Sequence, residues 1–133
     1  MDINDAIALT IWWCEGAKLR KDKRWKNSFI YQVEVTNTDS RIIKIFLSYL
    51  REKHSVSLSR IKGQLQIHKG DNQKELEDYW SRELGLPLEQ FNKTIIRLKG
   101  NKPNKTKGTF KLRLYDKNIF NLLQNDLDLL LSR

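Results

Sequence analysis

The chain has 133 residues, with 25 Lys and Arg against 16 Asp and Glu, for a formal charge of +9. It contains two prolines, no Gly/Ser-rich linker and no internal repeat, so one domain over residues 1–133 is expected, and the 39% apolar content suffices for a core. The longest apolar run near the N-terminus, Ala6 to Cys14, is too short to span a bilayer and is flanked by Asp2, Asp5 and Glu15, while the lone Cys14 allows neither an internal disulfide nor a cysteine-rich zinc site. No membrane association and a reducing, cytoplasmic setting are expected.

Ile3 to Cys14 reads as a helix that is apolar on nearly every side, so its far side needs a cover, for which a second copy of itself is one candidate. Gly16 is expected to end it with a positive φ. Ala17–Arg24 and Phe29–Thr36 alternate apolar and polar around Lys26-Asn27-Ser28, the pattern of a hairpin. Its second strand puts Phe29, Tyr31, Val33 and Val35 on one face and Gln32, Glu34 and Thr36 on the other.

Asn37-Thr38-Asp39-Ser40 supplies caps for a helix carrying Ile42, Ile43, Phe46, Leu47 and Leu50 to about Lys53. A strand over Arg60–His68 follows, with Ile61, Leu65 and Ile67 facing one way and Arg60, Lys62, Gln64, Gln66 and His68 the other. Asn72 and Glu75 resemble a capping box, and Leu76, Tyr79, Trp80 and Leu84 form an amphipathic stripe closed by Gly85 and Pro87. Strands over Lys93–Leu98 and Thr109–Tyr115 flank the segment Gly100–Gly108. Asp116 caps a last helix with Ile119, Phe120, Leu123, Leu127 and Leu130 as its core face. The expected class is α+β, in the order α-β-β-α-β-α-β-β-α, with a mostly antiparallel sheet and helices on one face.

The charge is segregated. Six of the ten residues from Ala17 to Lys26 are basic, nine basic residues from Lys93 to Lys117 face Asp116 alone, and six acids cluster between Asp71 and Glu89 against Lys74 and Arg82. Such segregation points to a polyanionic partner, with the acidic segment turned away from it. The open sheet face is expected to carry Lys18, Arg20, Gln32, Glu34, Arg60, Lys62, Gln64, Gln66, His68, Lys111 and Arg113, with Lys23, Arg24, Lys26 and Arg97 extending the basic surface. Lysine and arginine engage phosphates, and arginine and glutamine pair with base edges in the major groove, which admits β-ribbons. An ordinary solvated sheet face is the alternative.

The segment Leu9-Thr10-Ile11-Trp12-Trp13-Cys14-Glu15-Gly16, followed by a basic hairpin, resembles the signature helix of the LAGLIDADG homing endonucleases. Ile11 and Gly16 satisfy that signature, Glu15 keeps a carboxylate where Asp is more usual, and Trp13 departs from it. The resemblance extends over the whole chain in helix order, in the Asn37-Thr38-Asp39 turn and in the basic sheet. A single motif implies a homodimer in which two such helices pack about a two-fold axis through Ala6, Thr10, Trp13 and Cys14. It further implies a sequence-specific endonuclease acting on double-stranded DNA, in which Glu15 of each copy holds Mg²⁺ or another divalent cation, with Lys111 and Gln32 as catalytic candidates near the scissile phosphates.

A DNA-binding protein or regulator without catalysis fits the same residues. A single-stranded RNA platform fits them less well, because few aromatics fall on the polar faces. His54 and His68 lack partners at metal spacing and are expected at the surface. No nucleophile-His-acid order, phosphate-cradling glycine loop or zinc signature occurs.

Overall fold

The computed structural model describes residues 2–16, 20–21, 29–98 and 106–132, with backbone alone at 20, 21 and 29. The expectations for Lys18, Lys23, Arg24 and Lys26, and for most of the Gly100–Gly108 segment, lie outside these residues.

Helix α1 (Ile3–Glu15) starts in a capping box: the Asp2 side chain accepts from the Asp5 backbone N–H, and Asp5 accepts from that of Asp2. Strands β1 (Arg20–Lys21) and β2 (Phe29–Ile30) pair antiparallel as the expected hairpin. The hairpin's second strand is broken at Tyr31, because the chain changes partners there: Ile30 faces Arg20 of β1, whereas Gln32 opens β3 (Gln32–Asn37) against Tyr115. Helix α2 (Ser40–His54) is capped by Asp39, whose carboxylate is lowered to about 2 by hydrogen bonds from the Arg41 side chain and backbone. Next come β4 (Lys62–His68), α3 (Gln73–Leu84), β5 (Ile95–Arg97), β6 (Thr109–Tyr115) and α4 (Lys117–Leu131). With the two halves of the broken strand counted as one, the element order is the one expected from the sequence.

The four-stranded sheet has the order β3-β6-β4-β5; its first two pairings are antiparallel and β4–β5 is parallel, which makes the sheet mixed. Val33 and Val35, Phe110, Leu112 and Leu114, and Leu65 and Ile67 point from one face into a core built with Phe46, Leu47 and Leu50 of α2, Trp80 of α3 and Phe120 of α4. Trp80 stacks on Phe110 at 4.9 Å between centroids, and its Nε1–H donates to the Lys107 carbonyl at 2.7 Å. Because α3 carries Trp80 to this side, its acidic residues lie on the helical side of the sheet, turned away from the open face.

Three local expectations are corrected. Gly16 has φ −85°, not a positive φ; glycine is needed there because a Cβ would come within 2.3 Å of the Trp12 carbonyl oxygen and 2.7 Å of the Trp12 ring. Arg60 lies in a short 3-10 turn (Leu58–Arg60) before β4 and pairs with Asp116 at 2.6 Å instead of joining the strand's polar face. Neither histidine is a plain surface residue. The His54 side chain is 8% exposed, and Nδ1 of the half-buried His68 is buried.

Candidate nucleic-acid interface

Strand registers fix which side chains share the open face. Gln32 lies opposite Tyr115, Glu34 opposite Arg113 and Thr36 opposite Lys111. Lys62 lies opposite Arg113, Gln64 opposite Lys111 and Gln66 opposite Thr109, and β5 adds Ile95 beside Gln66 and Arg97 beside His68. Because opposed residues point the same way, these four strands bring Gln32, Glu34, Lys62, Gln64, Gln66, His68, Arg97, Lys111 and Arg113 onto one surface. Arg20 lies in the neighbouring two-stranded ribbon.

The surface is more internally wired than a set of free cations. Glu34 is buried, and its Oε1 lies 3.1 Å from Lys111 Nζ and 3.8 Å from Arg113 Nη2, while Oε2 accepts from the Gln32 amide. One carboxylate thus offsets part of the charge of two central cations and fixes where their side chains point. Arg113 Nε remains buried without a hydrogen-bond partner among the described residues. Gln64 donates to the Lys93 carbonyl at 2.9 Å, and Lys62 and Arg97 are exposed. The face also carries Tyr115 and Ile95, 56% and 44% exposed, which alternation alone did not single out as parts of a polar surface.

Glu15 lies exposed at the C-terminal end of α1. The next residue, Gly16, bridges antiparallel to Val35, which places the helix end beside β3 and therefore next to the strand bearing Glu34 and Thr36. A negative side chain at this end of a helix opposes the helix dipole, so local helix energetics give no reason for it. On the same helix Ala8, Leu9 and Trp12 are buried, whereas Ile3, Ile7, Thr10, Trp13 and Cys14 are exposed and Ala6 is half-buried. Residues 3, 7, 10 and 14 follow helical spacing, so they form one outward stripe ending beside Glu15.

Among the described residues no group of three His, Cys, Asp or Glu side chains could hold a metal ion. Glu15 offers one carboxylate, and Mg²⁺ requires near-octahedral oxygen ligation. One copy by itself therefore does not fit the ion; a site at Glu15 needs a second carboxylate and phosphate oxygens. Also among the described residues, no helix is long and apolar enough to cross a membrane. No protein family, curated protein or solved structure matches this chain.

Proposed function

We propose that the chain binds duplex DNA as a homodimer through the open sheet face and hydrolyses it in a divalent-metal-dependent reaction, in the manner of the LAGLIDADG endonucleases that its first helix resembles. The observation that carries this reading is the division of the sheet: helices cover one face, and the other gathers cations and amides from four strands. The outward stripe of α1 supports pairing of two copies, which would bring two Glu15 carboxylates together beneath the DNA. Mg²⁺ bound there would supply Lewis-acid activation of the scissile phosphate. This chain's own contribution is to hold the DNA on the sheet and keep the carboxylates at the ends of packed helices.

The test is binding and cleavage of duplexes taken from the gene's own flanks. The expected results are salt-sensitive binding, Mg²⁺-dependent nicking, and loss of nicking but not of binding in Glu15→Gln. Nicking that survives Glu15→Gln removes that residue from the chemistry.

A DNA-binding protein without catalysis is the second reading. The Lys111–Glu34 pair favours it, because the ammonium suited to a scissile phosphate is already engaged by a carboxylate. It predicts binding with the same salt dependence and no nicking at any Mg²⁺ concentration.

A further inference from the structure

At one end of the open face Thr36, Gln66, Ile67, His68, Arg97 and Thr109 line a cleft of about 270 Å³. Strand pairing assembles it: Thr109 lies opposite Gln66, Arg97 beside His68, and Thr36 comes from β3 across β6. None of the described lining residues carries a carboxylate. The acid next to this strand end, Asp71, accepts from the His68 backbone N–H at 2.9 Å.

Two features mark the cleft as built for a ligand. His68, which lines the cleft, has a buried Nδ1 with no hydrogen-bond partner among the described residues, although buried polar atoms in folded proteins are nearly always paired. Arg97 is oriented from within the cleft, since the Gln66 amide oxygen, in the amide orientation that satisfies both groups, accepts from both Nε and Nη2 of the guanidinium. That arrangement holds the planar cation at the wall. A guanidinium, an imidazole and two hydroxyls line a cleft with no carboxylate among its described residues, the chemistry that recognises a tetrahedral oxyanion.

We infer that this cleft binds the phosphate group of a nucleotide or nucleic acid, with Arg97 and His68 as the principal contacts. The site stands apart from Glu15 chemistry and does not require cleavage.

Inorganic phosphate titrated into the full chain, followed through the Arg97 Nε–H and His68 imidazole resonances, is expected to shift both along a saturable curve. The His54 imidazole, held on the helical side by Tyr49, stays still. Arg97→Gln, at an exposed edge-strand position where folding is not at risk, is expected to weaken phosphate at least tenfold. Lys74→Gln on α3, which removes the same charge elsewhere, leaves the curve unchanged. Shifts that grow linearly without saturating, or saturation identical in Arg97→Gln, overturn the site.

Two competitors separate the sources. Displacement of phosphate by a closed dumbbell duplex, which has no ends, assigns the cleft to backbone phosphodiesters. Displacement by a 5′-mononucleotide alone assigns it to terminal phosphates, and displacement by neither overturns a nucleotide ligand. Lost phosphate saturation with intact DNA binding strikes the cleft alone, and the converse strikes the duplex-binding reading alone.

Discussion

Glu34→Gln should lower the stability of the fold and, if the open face binds DNA as proposed, tighten that binding. The wild-type side chain is 10% exposed and pairs with Lys111 and Arg113, which are 33% and 19% exposed. Removing one partner of a fully buried pair costs about 3–5 kcal/mol. Here Lys111 can turn to water, so the cost falls to roughly 1–3 kcal/mol once solvent screening is allowed for. Urea unfolding would read this as a lower midpoint with an unchanged slope. On the DNA side the substitution frees one or two cations for phosphate. The log-log slope of affinity against salt should therefore steepen by about 0.9 for each phosphate gained, which near 0.1 M salt is roughly an order of magnitude in affinity. Fluorescence anisotropy of a labelled duplex across a salt series measures both quantities. An unchanged salt slope, with the expected loss of stability, would refute the idea that Glu34 restrains DNA-binding cations and leave it a purely structural group.

Two further substitutions probe the frame that holds the face. Gly63→Ala in β4 would put a Cβ 2.3 Å from Phe110 Cζ, and Phe110 cannot retreat because Trp80 stacks on it and Phe91 meets it edge-on at 5.4 Å. The expected loss is about 1–3 kcal/mol, and partial rescue by Phe110→Leu in a double-mutant cycle of urea midpoints checks the mechanism. On the helical side, the Tyr49 hydroxyl donates to Asp126 at 3.1 Å and so accepts from His54 Nε2–H at 3.0 Å, a bond open to the neutral Nε2–H tautomer and to the imidazolium alike. Desolvation lowers the His54 pKa and outweighs the attraction of Asp126. The folded state then binds fewer protons than the unfolded state as pH falls below the ordinary histidine value of 6.5. Stability is full above that value and is lost as pH falls below it. Chemical denaturation from pH 7.5 to 5.5 should show this decline, and His54→Gln should flatten it.

The parts of the fold that follow local periodicity were legible in the sequence. Alternation assigned the side chains of Lys62–His68, and Lys111 and Arg113 of the later strand, to the correct face, and Asp39, Asn72 and Asp116 marked three helix starts through their short side chains. Alternation also set Gln32 and Glu34 on the polar face but could not show them buried, since that depends on Lys111 and Arg113 arriving from a strand some eighty residues later. The partner change at Tyr31 was hidden for the same reason. Gly16 misled because a C-terminal glycine usually serves a left-handed cap, whereas here the indole of Trp12 folds back over the helix end. The cleft around His68 and Arg97 was illegible because it depends on a parallel pairing between two strands separated by a helix.

The proposed dimer is constrained by how little α1 has to offer. A helix of this length is roughly 20 Å long and 10–12 Å across, so one outward face covers on the order of 200 Å². A stable interface needs about 800 Å² from each partner. Ile3 at 75% exposure and Ile7 at 40%, with Trp13 beside the stripe at 47%, make this face sticky but not large. Contacts by α1 alone therefore fall short of a permanent dimer, and in the proposed complex the balance would come from a duplex lying across two sheet faces at once. DNA that bridges two copies raises the effective concentration of one stripe for the other. On the proposed reading the Glu15 carboxylates would meet when DNA is bound and stay apart otherwise, which would couple assembly of a metal site to the presence of its substrate.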